Sequence, residues 1–231
     1  MSLRIAASAE ELRRRCEATS VRTTTGEDGY EDGAVVPTGL WRPLTDDLCL
    51  RVAASVGGAD GTLVELVDAA AIERHLLTAG HVTPLGRADS PAHALTTTPN
   101  YRDGRRIGLH LDNWDKLAYQ DKASGRRRLC VNLGPGTRHL LVCDIDIQQV
   151  CRAVRPDYAT CHPHTDDLRA YAAAGLPMTC LRIRLAPGDG YLAPTEFLPH
   201  DGSTENCASP STAAFWLGHW PRGAFDSGRT R

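Results

Sequence analysis

Short runs in which apolar and polar residues alternate dominate the second half of the chain. Such alternation places every second side chain on the same face of a strand, and so predicts half-buried β-strands. On this pattern we predict strands over residues 106–111, 129–133, 139–143, 180–185, 190–193 and 213–218. Glycine and proline separate the runs, which is typical of a sandwich or barrel. Gly134-Pro135-Gly136 predicts a hairpin between the second and third runs.

Helical patterns occur in four places. Capping residues mark where a helix begins, and glycine or proline after the last turn marks where it ends. On these features we predict helices over residues 9–18, 69–79, 146–154 and 165–175. The Thr-, Gly- and Asp-rich segment 19–40 is predicted to be a loop. Residues 82–104 are predicted to be irregular, with the length of a lid or a binding wall.

The composition favours a globular protein that binds small molecules. A chain of 231 residues can bury a large core, and we expect one domain over residues 1–231, with outer helices, loops and strands in about 1–100 and the core in about 100–220. Its 26 basic and 28 acidic residues leave a net charge of -2, which creates no field that would attract nucleic acid or an anionic membrane. The oligomeric state stays open.

The cysteines and the N-terminus bear on location. The eight cysteines contain no Cys-x-x-Cys pair and lie mostly in apolar stretches, so buried free thiols are expected, with disulfides as the weaker alternative. No secretory signal or membrane-spanning run is recognisable, so a cytoplasmic protein is expected.

Two His-x-Asp triplets differ in their surroundings. The first lies in the alternating run "RIGLHLD", so His110 and Asp112 project from one face of a predicted strand and can hold one cation together. The alternatives are a hydrogen-bonded core histidine and an aspartate that forms a turn. The second, residues 164–166, begins a predicted helix, where Thr165 as N-cap and the following acidic pair explain it without a metal. "CHPH", residues 161–164, lacks a second ligand pair at zinc-finger spacing.

A third ligand must come from elsewhere in the chain. His200 follows a Pro-Gly-Asp turn and a predicted strand, whereas His219 in "WLGHW" competes for the same position. Two histidines and one carboxylate on one face of an octahedral ion form the ligand set of non-haem Fe(II) oxygenases.

"HLD" on a strand, the Pro-Gly-Asp turn and a Pro-His pair about ninety residues after the first histidine resemble the Fe(II)/2-oxoglutarate-dependent dioxygenases. The resemblance covers about residues 100–220. It implies an α+β fold with a mainly β core, a cupin-like double-stranded β-helix (jelly-roll) with flanking helices. It further implies that His110, Asp112 and His200 bind Fe(II) and form the catalytic centre, with 2-oxoglutarate and molecular oxygen as cosubstrates.

The chain departs from the family in one respect. Members usually carry an arginine on the strand after the distal histidine, where it pairs with the far carboxylate of 2-oxoglutarate, but residues 209–218 contain no cation. Arg126, Arg127 and Arg128, with Lys122 just before them, are the favoured replacements. Arg182 or Arg184 is the second option, Ser211 and Thr212 offer hydroxyls, and the third option is a different cosubstrate.

The resemblance implies hydroxylation or a related oxidation, and the modest length and composition of the chain favour a small metabolite as substrate, such as an amino acid or an antibiotic precursor. Because Asp112 is present, no ligand position is vacated for chloride. The alternatives are a cupin-type metal enzyme that does not use 2-oxoglutarate and a non-catalytic β-sandwich that binds a ligand. Asn113 and Trp114 directly follow Asp112 and are candidates for the substrate mouth, with packing as the equal alternative for Trp114. Glu196 either contacts a cationic substrate or lies on the surface. No phosphate-binding or dinucleotide motif follows a predicted strand.

Overall fold

Strands account for most of the regular structure. The computed structural model describes residues 3–56, 61–68, 72 and 82–225. The strands in these ranges are β1 (Leu3–Ala6), β2 (Cys16–Thr23), β3 (Tyr30–Pro37), β4 (Arg42–Pro43), β5 (Ala53–Ala54), β6 (Thr62–Asp68), β7 (Val82–Ser90), β8 (Arg106–Gly108), β9 (Arg127–Pro135), β10 (Arg138–Cys143), β11 (Thr179–Leu185), β12 (Asp189–Ala193), β13 (His200–Ser203) and β14 (Ser211–Gly218). The helices are α1 (Ala9–Arg15), α2 (Asp46–Val52), α3 (Ile147–Val154) and α4 (Thr165–Ala173), with 3-10 turns at Tyr119–Ser124 and Tyr158–Thr160.

The strands form two sheets. The first has the order β5-β1-β6-β12-β9-β14-β7, and the second has the order β13-β10-β11-β2-β3-β8, with β4 paired to β2. The alternation along β10 shows how they pack: Leu140 and Val142 join an apolar cluster with residues of the first sheet, such as Val64. Leu141 and Cys143 point the other way, into a cluster with α3 and α4. A strand covered on both faces has a continuous apolar run, as residues 140–143 of β10 do.

The observed starts of α1, α3 and α4 agree with the predicted ones, although the N-cap of α4 differs. The Ser8 hydroxyl accepts a hydrogen bond from the Glu11 N–H at 3.1 Å and begins α1. Asp146 begins α3 with a complete capping box. The α4 helix is capped by His164 and not by Thr165, because the His164 ring accepts from the Asp166 N–H. The helix predicted over residues 69–79 lies outside the described residues, apart from Ile72.

Two predicted loops contain strands. The segment 19–40 was expected to be irregular, but it holds most of β2 and all of β3, and α1 therefore stops at Arg15 instead of Ala18. The β-branched residues of both strands favour extended backbone, and partial exposure explains their polar composition. Residues 82–90 likewise form β7 at the edge of the first sheet. The predicted strand 106–111 shortens to β8, followed by isolated bridges at Leu109 and His110.

The predicted hairpin at residues 134–136 is wrong, since β9 belongs to the first sheet and β10 to the second. The turn is a corner between the sheets. The buried Asn132 amide donates to the carbonyls of Gly136 and Leu185 at 2.9 and 3.0 Å, and its oxygen accepts from the Gly134 N–H at 3.0 Å. A Cβ on Gly136 would lie 2.5 Å from the Ser209 carbonyl oxygen, so the close approach of these two segments requires glycine.

All eight cysteines are buried and unpaired, which confirms the expectation of free thiols. Among the described residues, no helix has the length and apolar character that crossing a bilayer requires.

Candidate metal centre

His110, Asp112 and His200 converge in the interior. The backbones of His110 and His200 exchange two hydrogen bonds, of 3.0 and 2.9 Å, which bring β13 beside the segment after β8. The ring centroids lie 4.7 Å apart, and all three residues are buried. One ligand atom from each residue lies within 4.8 Å of the other two. The backbone pairing therefore juxtaposes residues that are far apart in sequence.

Hydrogen bonds orient both imidazoles. The Nδ1 atoms of His110 and His200 lie 2.9 Å from the Gly108 carbonyl and 3.0 Å from the Leu198 carbonyl, respectively. A carbonyl only accepts, so each neutral ring carries its proton on Nδ1 and presents an Nε2 lone pair. Such a backbone acceptor is the usual partner of a metal-binding histidine.

The atoms that lie between the three side chains suit a bound cation. Nε2 of His200 is buried without a hydrogen-bond partner. Oδ2 of Asp112 is also buried and accepts no hydrogen bond, although Arg128 Nη1 lies 3.0 Å away in an ion pair. The Asp112 oxygens lie 3.9 Å from His110 Nε2 and 3.8 Å from His200 Nε2. Bonds of about 2.0–2.2 Å from nitrogen and carboxylate oxygen to one divalent ion are within reach of these separations. Two imidazole nitrogens and one carboxylate thus fit Fe(II) or a similar ion.

Local charges keep these groups in metal-binding protonation states. Burial alone would raise the pKa of Asp112, but Arg128 and then the two histidines hold that pKa well below its usual range. Burial, followed by Arg128, lowers the pKa of His200 well below its ordinary value. At neutral pH the site therefore presents a carboxylate and a neutral imidazole, since neither group has to lose a proton before a metal binds.

Arg128 connects the triad to a cavity. Its Nη1 lies 3.0 Å from Oδ2 of Asp112, and its Nη2 donates to the Tyr191 hydroxyl at 3.3 Å. The same guanidinium lies over the Phe215 ring and lines a cavity of about 220 Å³. The cavity wall also contains Leu85, Ala88, Ser90, Thr97, Thr98, Pro99, Trp114, Arg138, His139, Tyr191, Gly202 and Phe215.

Arg138 is the functional candidate that the sequence analysis missed. Its side chain is 4 % exposed, it lines the cavity, and its buried Nη1 has no hydrogen-bond partner. An unpaired buried guanidinium is costly, and a bound anion would compensate for it. The alternation along β10 could have revealed Arg138 from the sequence. Arg138 shares the inward face with Leu140 and Val142, and a charged residue is unusual on such a face.

The other predicted cosubstrate ligands have different surroundings. Arg126 forms an ion pair with Asp115, and Arg127 pairs with Glu65. Arg182 pairs with Glu17 and lies over the Trp41 ring. Arg184 is exposed. The Thr212 hydroxyl donates to Asp89 at 2.6 Å. Of the arginines considered from sequence, Arg128 alone lines the cavity. The Ser211 hydroxyl is buried without a hydrogen-bond partner.

His219 is exposed and outside the triad, whereas His200 belongs to it. Trp114, for which both a substrate mouth and packing were considered, lines the cavity. Glu196 is buried and bonded to Lys122, which excludes a surface position. The second His-x-Asp triplet caps a helix, and within the described part of the chain only the first belongs to a metal-type cluster.

No family model and no curated protein matches this chain.

Proposed function

We propose that the protein is a non-haem Fe(II) oxygenase that uses 2-oxoglutarate to hydroxylate or otherwise oxidise a small metabolite. The observation that carries the proposal is the buried convergence of His110, Asp112 and His200, with Nε2 of His200 unpartnered. Arg128 joins this triad to a cavity that it lines together with Arg138. Two nitrogens and one carboxylate leave coordination positions for other ligands of a six-coordinate ion.

The connectivity supports a double-stranded β-helix core. From β7 onward the chain moves between the two sheets: β7 lies in the first, β8 in the second, β9 in the first, and β10 and β11 in the second. It continues with β12 in the first sheet, β13 in the second and β14 in the first. Such alternation is what a jelly-roll requires of successive strands.

The cavity charge supports a dicarboxylate cosubstrate. Among the described residues no acidic side chain lines this cavity, whereas Arg128 and Arg138 both do. A guanidinium recognises a carboxylate through two parallel hydrogen bonds, and the free Nη1 of Arg138 lacks such an acceptor. Arg138 is thus assigned to the far carboxylate of 2-oxoglutarate, and Arg128, which already contacts Asp112, to the end nearest the metal.

When bound, Fe(II) with 2-oxoglutarate supplies the oxidising chemistry with molecular oxygen. The side chains of the protein hold the ion and orient the cosubstrate. His110, Asp112 and His200 hold the ion, Arg128 keeps the Asp112 carboxylate in place, and Arg138 sets the direction of the cosubstrate. Trp114 and Phe215 supply apolar walls that exclude water from the cavity. The absence of acidic lining residues favours a neutral or anionic substrate over the cationic one considered for Glu196.

Anaerobic addition of Fe(II) and then 2-oxoglutarate to the purified protein tests the proposal. We expect stoichiometric iron and a weak visible charge-transfer band that appears only with both components. Iron binding without the band would indicate a cupin-type enzyme that does not use 2-oxoglutarate. The absence of iron binding would leave a ligand-binding β-sandwich in which the three residues are structural.

A further inference from the structure

Lys122 and Glu196 form a buried ion pair next to the metal-ligand segment. Nζ of Lys122 lies 3.2 Å from Oε2 of Glu196, and their side chains are 0 % and 1 % exposed. Lys122 lies in the 3-10 turn before β9, and Glu196 lies between β12 and β13. Burying an ion pair costs as much as its attraction returns or more, so fold stability alone is a weak reason for keeping one.

Both partners also bond to residues that directly follow Asp112. Nζ of Lys122 donates to Oδ1 of Asn113 at 2.9 Å, and Oε1 of Glu196 accepts from the Asp115 N–H at 2.7 Å. The Asp112 N–H itself donates to the Thr195 carbonyl at 3.1 Å. Residues 112–115 are thereby fastened to the segment before β13 and to the 3-10 turn.

We propose that Lys122 and Glu196 are positioning residues that set the orientation of Asp112 as a metal ligand and hold Trp114 at the cavity wall. Trp114 lies between the two anchored residues, and it lines the cavity although it is 52 % exposed. Without the anchors, the segment after Asp112 would be fixed mainly by the surface-facing Asp115–Arg126 pair. This inference rests on the proposed metal site.

The double variant Lys122→Met/Glu196→Leu is the decisive test. It removes both charges together, so no buried charge is left unpaired, but it also removes the bonds to Asn113 and to the Asp115 N–H. With Co(II) as the probe, we expect the affinity to fall by about 10- to 100-fold and the visible spectrum to change, as for other residues that orient metal ligands.

Glu65 offers a matched control. Its carboxylate pairs with Arg127 through one oxygen at 2.8 Å and accepts the Gly223 N–H through the other at 3.0 Å. The other hydrogen bonds of Arg127 go to the carbonyls of Leu63 and Leu192, and not to residues 112–115. Arg127→Met/Glu65→Leu therefore removes an equivalent buried pair. We expect its Co(II) affinity to stay within twofold of wild type.

The outcomes separate the two proposals. Wild-type affinity in a folded Lys122→Met/Glu196→Leu protein, or an equal loss in the Glu65 control, would overturn the positioning role. No Co(II) binding by the wild type would overturn the metal site itself. If the double variant does not fold, Asn113→Ala removes one anchor without uncovering a charge, and an unchanged Co(II) spectrum there would also contradict the proposal.

Discussion

The Arg138 side chain of β10 reaches Gly202 of the neighbouring strand β13, and the missing side chain of Gly202 makes room for it. A Cβ on Gly202 would lie 2.5 Å from Nη2 of Arg138 and 2.4 Å from the Thr97 hydroxyl. Glycine at this position therefore leaves space for a buried guanidinium that has no hydrogen-bond partner for Nη1. This arrangement fits the carboxylate-binding role that we propose for Arg138.

Replacing Arg138 should weaken cosubstrate binding and leave the metal in place. Hydrogen bonds to charged groups contribute about 1.5–3 kcal/mol, so Arg138→Met should raise the Kd for 2-oxoglutarate by roughly 10- to 150-fold. Anaerobic titration of the Fe(II) protein with 2-oxoglutarate measures this. The exposed Arg184 is the control, and an equal effect of Arg184→Met would mean that the loss reflects general charge.

Removing one imidazole of the triad should abolish tight iron binding. Changes beyond the ligand shell cost about 10- to 100-fold in metal affinity, so His200→Ala, which removes a ligand, should cost more than about 100-fold. His164→Ala in the second His-x-Asp triplet should bind iron as the wild type does. Anaerobic equilibrium dialysis with iron analysis compares the three proteins, and stoichiometric iron in His200→Ala would contradict the ligand assignment.

His139 should make the fold sensitive to acid. Burial, with smaller contributions from Arg182, Arg184 and Arg138, lowers the pKa of His139 to about 4. In the unfolded chain the imidazole takes up its proton near pH 6.5, so between pH 6.5 and 4 protonation favours the unfolded state, and stability falls as pH falls. The loss attributable to His139 should be about 3 kcal/mol at pH 4.

Urea unfolding of the wild type and His139→Gln at pH 7 and pH 4 measures this contribution. The difference in unfolding free energy between the two proteins should shift by that amount in favour of the variant at low pH. Parallel pH profiles would show that His139 titrates as it does in the unfolded chain.

Local features were predictable because their causes are local. Capping residues placed the starts of α1, α3 and α4, and alternation located β9 to β12 and β14 within a few residues. The pairing of His110 with Asp112 followed from the same alternation, since residues two apart on an extended chain project to one side.

Other features depend on contacts between distant segments. The pattern around residues 134–136 is that of a hairpin, yet β9 and β10 join different sheets, because their partners come from β12, β14, β11 and β13. Lys122 was considered as a ligand of the cosubstrate and Glu196 as a contact of a cationic substrate. In the structure the two side chains are buried in an ion pair with each other. Composition cannot show that two charged residues 74 positions apart are buried against each other.

What the sequence by itself determined is the set of short-range preferences: where strands and helices form, which side chains share a face, and that one histidine and one aspartate can act together. The tertiary structure decided that His200, and not His219, completes the triad, and that Arg138 lines the cavity beside it. The reason is physical. Short-range preferences arise from backbone and neighbouring side chains, whereas a ligand site needs side chains from separate strands at one point, which only the pairing and packing of the sheets provide.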